Sequence, residues 1–152
     1  MLWFRRKKID PEKWDEMNKM VLNLTKEKKL EEALSAAKEL YKEALKNYGK
    51  KHKNTVTALN NLGFINMLKK DFDEAESYLL MALQVSEKVY GRFSKEVAVV
   101  NMNLGKLYML KAKEIKDVIT AFNTEWRTEV ENKDMPETCD YKKTKISQFA
   151  EV

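Results

Sequence analysis

The chain has 152 residues, enough for one domain with a proper core, and 35% are charged against 43% hydrophobic. Four glycines and two prolines are too few for a sandwich or barrel of many tight turns, and one cysteine forbids an internal disulfide. That cysteine, Cys139, and the lone His52 also fall short of the roughly four ligands of a structural zinc site.

The net charge of +5 is uneven. Residues 1–53 carry 15 basic and 9 acidic groups, residues 54–113 carry 8 and 6, and residues 114–152 carry 6 and 9. A basic front half favours acidic partners or an anionic surface, and solvated lysine faces on amphipathic helices give the same count. The first residues, Met1-Leu2-Trp3-Phe4-Arg5-Arg6-Lys7-Lys8, run apolar and then basic, the reverse of a secretory signal. No apolar run approaches the ~20 residues of a membrane span. A lone cysteine and no export signal set the expectation of a cytoplasmic protein, peripheral at most to a membrane-associated complex. Trp3 to Lys8 suit contact with a membrane surface. Capping of the first helix and contact with a partner are the alternatives.

After this segment, residues 1–10, hydrophobic periodicity predicts helices over 11–28 and 30–48, then 54–70 and 72–90, then 95–112 and 114–132. Phe72, Ala75, Leu79, Ala82, Leu83 and Ser86 fall on one helical face, with Asp71 or Asp73 as N-cap and Gly91 as the stop. Residues 55–70 are apolar nearly all round, as expected of a helix held between neighbours. Residues 133–152 read as a polar linker and a short amphipathic tail, with Ile146, Phe149 and Val152 as its apolar positions.

The helices recur. Sliding the chain by 42 sets residues 30–71 on 72–113 without a gap, with 13 identities clustered in short runs. Glu32, Ala33 and Ser35 meet Glu74, Ala75 and Ser77. Tyr48-Gly49 meets Tyr90-Gly91, Asn61-Leu62-Gly63 meets Asn103-Leu104-Gly105, and Met67-Leu68-Lys69 meets Met109-Leu110-Lys111. A fixed period in this range signals stacked supersecondary units. The expected architecture is an all-α solenoid of about three antiparallel hairpins over 11–132, in units of about 11–53, 54–94 and 95–132. Gly63 and Gly105 lie inside helices, where glycine costs about 1 kcal/mol against alanine. Their recurrence predicts close packing against a facing helix, with Ala75 as the small residue opposite Gly63. Asp117 falls where an alanine belongs, so 114–132 is expected as a capping helix with an apolar stripe of Ile115, Val118, Ile119, Phe122, Trp126 and Val130.

Leu59, Leu62-Gly63, Ala75, Leu79 and Ala82 resemble the signature of the tetratricopeptide repeat, and Leu104-Gly105 with Tyr108 repeats part of it. The period exceeds the family's ~34 residues. With Leu-Asn-Asn-Leu-Gly and Glu-Lys-Val-Tyr-Gly, it is similar to the kinesin-light-chain subclass. The resemblance implies a groove lined by the first helix of each unit: Asn60, Asn61, Phe64, Met67 and Leu68 in the middle unit. Met102, Asn103, Lys106, Met109 and Leu110 follow in the next, with Asn18, Lys19 and Leu22 weaker equivalents in the first. It implies that Asn61 and Asn103 hold a peptide backbone, since an amide offers donor and acceptor together. Bonding to the adjacent helix is the alternative. Val99 and Asn103 stand where the family's clamp for chaperone tails has its basic residues, so that ligand is not implied. Phe122 and Trp126 form either a cap or a docking seam.

No phosphate loop, nucleophile elbow or base constellation is present, and no cofactor or metal is expected. Two functions remain: an adaptor binding a peptide or helix of another protein, or a structural subunit that self-associates through exposed repeat ends. Specific nucleic-acid binding has only charge in its favour.

Overall fold

The computed structural model describes residues 9–132, with side chains to residue 128, and every regular element among them is helical. The elements are α1 (Pro11–Lys26), α2 (Leu30–Tyr48), α3 (Lys53–Lys69), α4 (Phe72–Tyr90) and α5 (Lys95–Asn132). Trp3–Lys8, the tail beyond Asn132 and the expectations attached to both lie outside the described residues.

Local chemistry sets the helix ends. Asp10 caps α1, its carboxylate accepting from the Glu12 amide at 3.1 Å, and Pro11 supplies a first-turn φ. His52 caps α3 through Nδ1, which accepts from the Asn54 amide at 3.1 Å, while its ring stacks on Tyr48 at 4.4 Å. The turns within hairpins use Lys28 (φ 59°) and Lys70 (φ 66°), equivalent positions 42 apart, both left-handed. The turns between hairpins begin at Gly49 and Gly91, at φ 83° and 86°, backbone that side chains disfavour.

The described residues up to Lys111 form one compact unit, an all-α solenoid. α1 packs on α2, α2 on α3 and α3 on α4. One core joins Trp14, Val21, Ala33, Leu40 and Ala44 to Ala58, Leu62 and Ile65. The next joins Leu59, Met67, Ala75, Leu79 and Ala82 to Val100, Leu104 and Leu107 of α5. α3 therefore feeds both cores, which is why its apolar residues run all round it. An ion pair recurs with the repeat: Lys69 meets Glu31 at 2.9 Å, and Lys111 meets Asp73 at 3.0 Å, one period later.

α5 runs without interruption where helices 95–112 and 114–132 were expected. Ala112 occupies the position of left-handed Lys28 and Lys70, and alanine both resists that conformation and is the best helix former. The buried α4 positions Ala75, Ala82 and Ser86 correspond to Asp117, Thr124 and Thr128, which supply no core face. The described residues from Ala112 belong to a second unit, in which Ile115, Val118, Ile119 and Phe122 are exposed.

Candidate partner-binding surface

α1, α3 and the first part of α5 succeed one another as inner helices, and a ladder of amides links them. Asn61 Nδ2 donates to Asn18 Oδ1 at 2.9 Å, and Asn103 Nδ2 donates to Asn60 Oδ1 at 2.9 Å. The two bonds are equivalent, each spanning 43 residues, so the period places the same contact twice. All four residues are half-buried. Each rung uses one N–H of the donor amide and one acceptor lone pair of its neighbour, a fraction of the capacity of two amides.

Beside the ladder, Phe64 is half-buried and Lys106 Nζ lies 5.6 Å from its ring centroid, within the range of a cation–π contact. Leu22, Leu68, Met102 and Met109 are exposed on the same helices. Exposed methionines give a surface that adapts to apolar side chains of different shape. Met67 is a correction: it is 1% exposed and packs with Leu59, Ala75 and Leu79, so it is core and not lining. In the second unit Phe122 is exposed and Trp126 half-buried.

Gly63 and Gly105 part company. A Cβ on Gly63 would stand 2.5 Å from Leu79 Cγ and 3.3 Å from the Ala75 carbonyl oxygen, so α4 fills the notch. Leu79 is the side chain that enters it, where Ala75 alone was expected. A Cβ on Gly105 would meet nothing within 4 Å.

At the edge of the inner face, Glu76 accepts from Tyr108 Oη at 2.8 Å and from Lys111 Nζ at 2.9 Å. The Lys111 hydrogen bond, then the Tyr108 one, holds the Glu76 carboxyl below its ordinary value. Glu76 and Asp73 in turn raise the Lys111 ammonium. These groups are solvent-facing and serve the junction of α4 with α5.

Two features lay outside the groove read from the sequence. Asn66 is buried and bonds back to the Leu62 carbonyl at 2.8 Å, a satisfied polar residue within the core. An open groove of about 430 Å³ lies between α1 and α2, its floor Met17, Met20, Leu24 and Ala36, its rim Glu32, Ser35 and Glu39. The spacing Met17, Met20, Leu24 is a helical stripe, so its signal was present in the sequence. Among the described residues no group of three or more His, Cys, Asp or Glu could hold a metal ion, and no helix is long and apolar enough to cross a membrane.

Residues 54–123, just under half of the chain, match the tetratricopeptide repeat family model, which supports repeats of that kind over α3, α4 and the first part of α5. No curated protein matches the chain.

Proposed function

We propose that the chain is a non-catalytic adaptor that holds a peptide or helix of another protein along its inner helices. Tetratricopeptide repeats generally mediate protein–protein interaction. The observation that carries the reading here is the repeated amide ladder with unspent donors and acceptors beside exposed Met102 and Met109. An extended segment laid on it loses water from its backbone and regains hydrogen bonds from Asn60, Asn61 and Asn103. Its apolar side chains spread over the methionines and Phe64, and Lys106 selects for an acidic group.

In this reading residues 11–132 are the interaction domain, with 1–10 and 133–152 as flanking segments. The 42-residue period supports a kinesin-light-chain-like subclass, and we place the protein in the cytoplasm.

Affinity capture from the native host, quantified by mass spectrometry, compares the wild type with Asn61→Ala/Asn103→Ala and with Lys106→Glu. Proteins held by the wild type and lost from both variants, at unchanged helicity, support groove binding. An identical set of captured proteins would sink it.

A further inference from the structure

The first hairpin has an open face that the second does not. Met17, Met20 and Leu24 floor the groove between α1 and α2, and Glu32, Ser35 and Glu39 rim it. One period later the counterparts of Met20 and Ala36 are Leu62 and Tyr78. Leu62 is fully buried in the core that holds Ala37, Leu40 and Ala44 of α2, and Tyr78 packs against that core. Met20, by contrast, is 54% exposed. α2 therefore covers the second hairpin at positions left open on the first.

The chain brings a matching segment to this face. The Ile9 amide donates to Asn47 Oδ1 at 3.1 Å. Glu32, Ala36, Glu39, Glu43 and Asn47 follow one another at three- and four-residue steps, so they share one side of α2. Ile9 is thus held at the far end of the strip that lines the groove. The residues before it, Met1-Leu2-Trp3-Phe4-Arg5-Arg6-Lys7-Lys8, lie outside the described residues. Read back from Ile9 they run basic and then apolar, as the strip runs from Glu43 and Glu39 to the methionine floor.

Reach and charge agree. From Asn47 back to Ala36, α2 spans about 17 Å at 1.5 Å per residue, the length of an extended run from Ile9 to Phe4. Trp3 and Leu2 then continue toward Leu24, while Arg6 and Lys7 pass Glu39 and Glu43. Those two carboxylates hold exposed lysines of their own helix, Lys42 at 3.7 Å and Lys46 at 3.5 Å. Such surface pairs are worth little, and the planar guanidinium of arginine is the better carboxylate partner.

We propose that residues 1–8 fold back over the α1–α2 groove, antiparallel to α1. Leu2, Trp3 and Phe4 cover its methionine floor, and the arginines meet its glutamate rim. The segment takes the place on the first hairpin that α2 takes on the second. Burial of two aromatic side chains is its main driving term, and the charges set its direction. This face is separate from the amide ladder, so the docking stands or falls independently of partner binding there.

In the full chain with Cys139→Ser, Leu2→Cys/Ser35→Cys should close an intrachain disulfide on mild oxidation, read as loss of both thiols at unchanged chain mass. Ser77 is the exposed counterpart of Ser35 one period later, and Leu2→Cys/Ser77→Cys should stay reduced under the same conditions. Adding Trp3→Ser/Phe4→Ser, or Glu32→Lys/Glu39→Lys, should abolish the preference for position 35 with unchanged helicity. Equal linkage at 35 and 77 overturns the proposal, and is the result expected of a segment given to a membrane or to another protein. Linkage between chains assigns the groove to a second copy and overturns it equally. A preference that survives both sets of substitutions also overturns it, since tethering alone then accounts for the contact.

Discussion

Gly63 and Gly105 hold the same place in successive repeats and carry opposite consequences for an added methyl group. At Gly63 a Cβ would collide with Leu79, which is fully buried and cannot retreat. Overpacking of this kind costs about 1–3 kcal/mol, more than alanine's helix advantage of about 1 kcal/mol. Gly63→Ala should therefore lower stability, read as a reduced urea midpoint. At Gly105 nothing opposes the methyl, so Gly105→Ala should raise stability by up to about 1 kcal/mol. Equal effects at the two positions would contradict the packing described. Leu79→Ala removes the side chain that fills the notch and should cost about 2–5 kcal/mol by chemical denaturation. The glycine pair was legible in the sequence as a repeated helix-interior cost. What was not legible is that only one of them is in contact, because that depends on whether a hairpin closes many residues later. The burial of Met67 has a related cause. Helical position alone does not say which side of an all-round apolar helix faces the next repeat.

At the level of elements, the junction of α4 with α5 is a charged cluster whose pH response can be worked out. Lys111 holds Glu76 below its ordinary value of 4.5, so the stabilisation from this contact is present above that pH and is lost as pH falls through the lowered value. The Lys111 ammonium is raised above 10.5, so its share is present below that pH and is lost as pH rises further. Glu76→Gln should leave stability near neutral pH only slightly changed, as expected of solvent-facing pairs. It should shrink the loss of melting temperature between about pH 6 and pH 3, the span over which an ordinary carboxylate takes up its proton. An unchanged acid limb would show that Glu76 does not titrate with this contact. Helix existence was legible throughout, since periodicity, Gly49, Gly91 and the first-turn carboxylates all agree. The exception is the break expected near residue 113. Alternating apolar residues from Ile115 to Trp126 suggested a return helix, and periodicity cannot tell a helix that turns back from one that continues. Turn chemistry can: Lys113 stands where Asp71 stands one repeat earlier, and Ala112 where Lys70 does.

Across the whole molecule, stacked hairpins make stability a sum of local and nearest-neighbour terms, and an end without a partner is its least protected part. α3 lies between two cores and should open last, whereas Ile115, Val118, Ile119 and Phe122 of α5 are exposed. The solenoid class and its period were readable from 13 recurring identities. The amide ladder was readable only in part, because Asn61 and Asn103 were singled out without their acceptors Asn18 and Asn60 being paired to them. Amide hydrogen exchange, read by mass spectrometry on the full chain, tests the open-ended solenoid most directly. Slow exchange through α3 and α4 with fast exchange over 112–128 is the predicted pattern. Protection of 112–128 equal to that of α4 would contradict it.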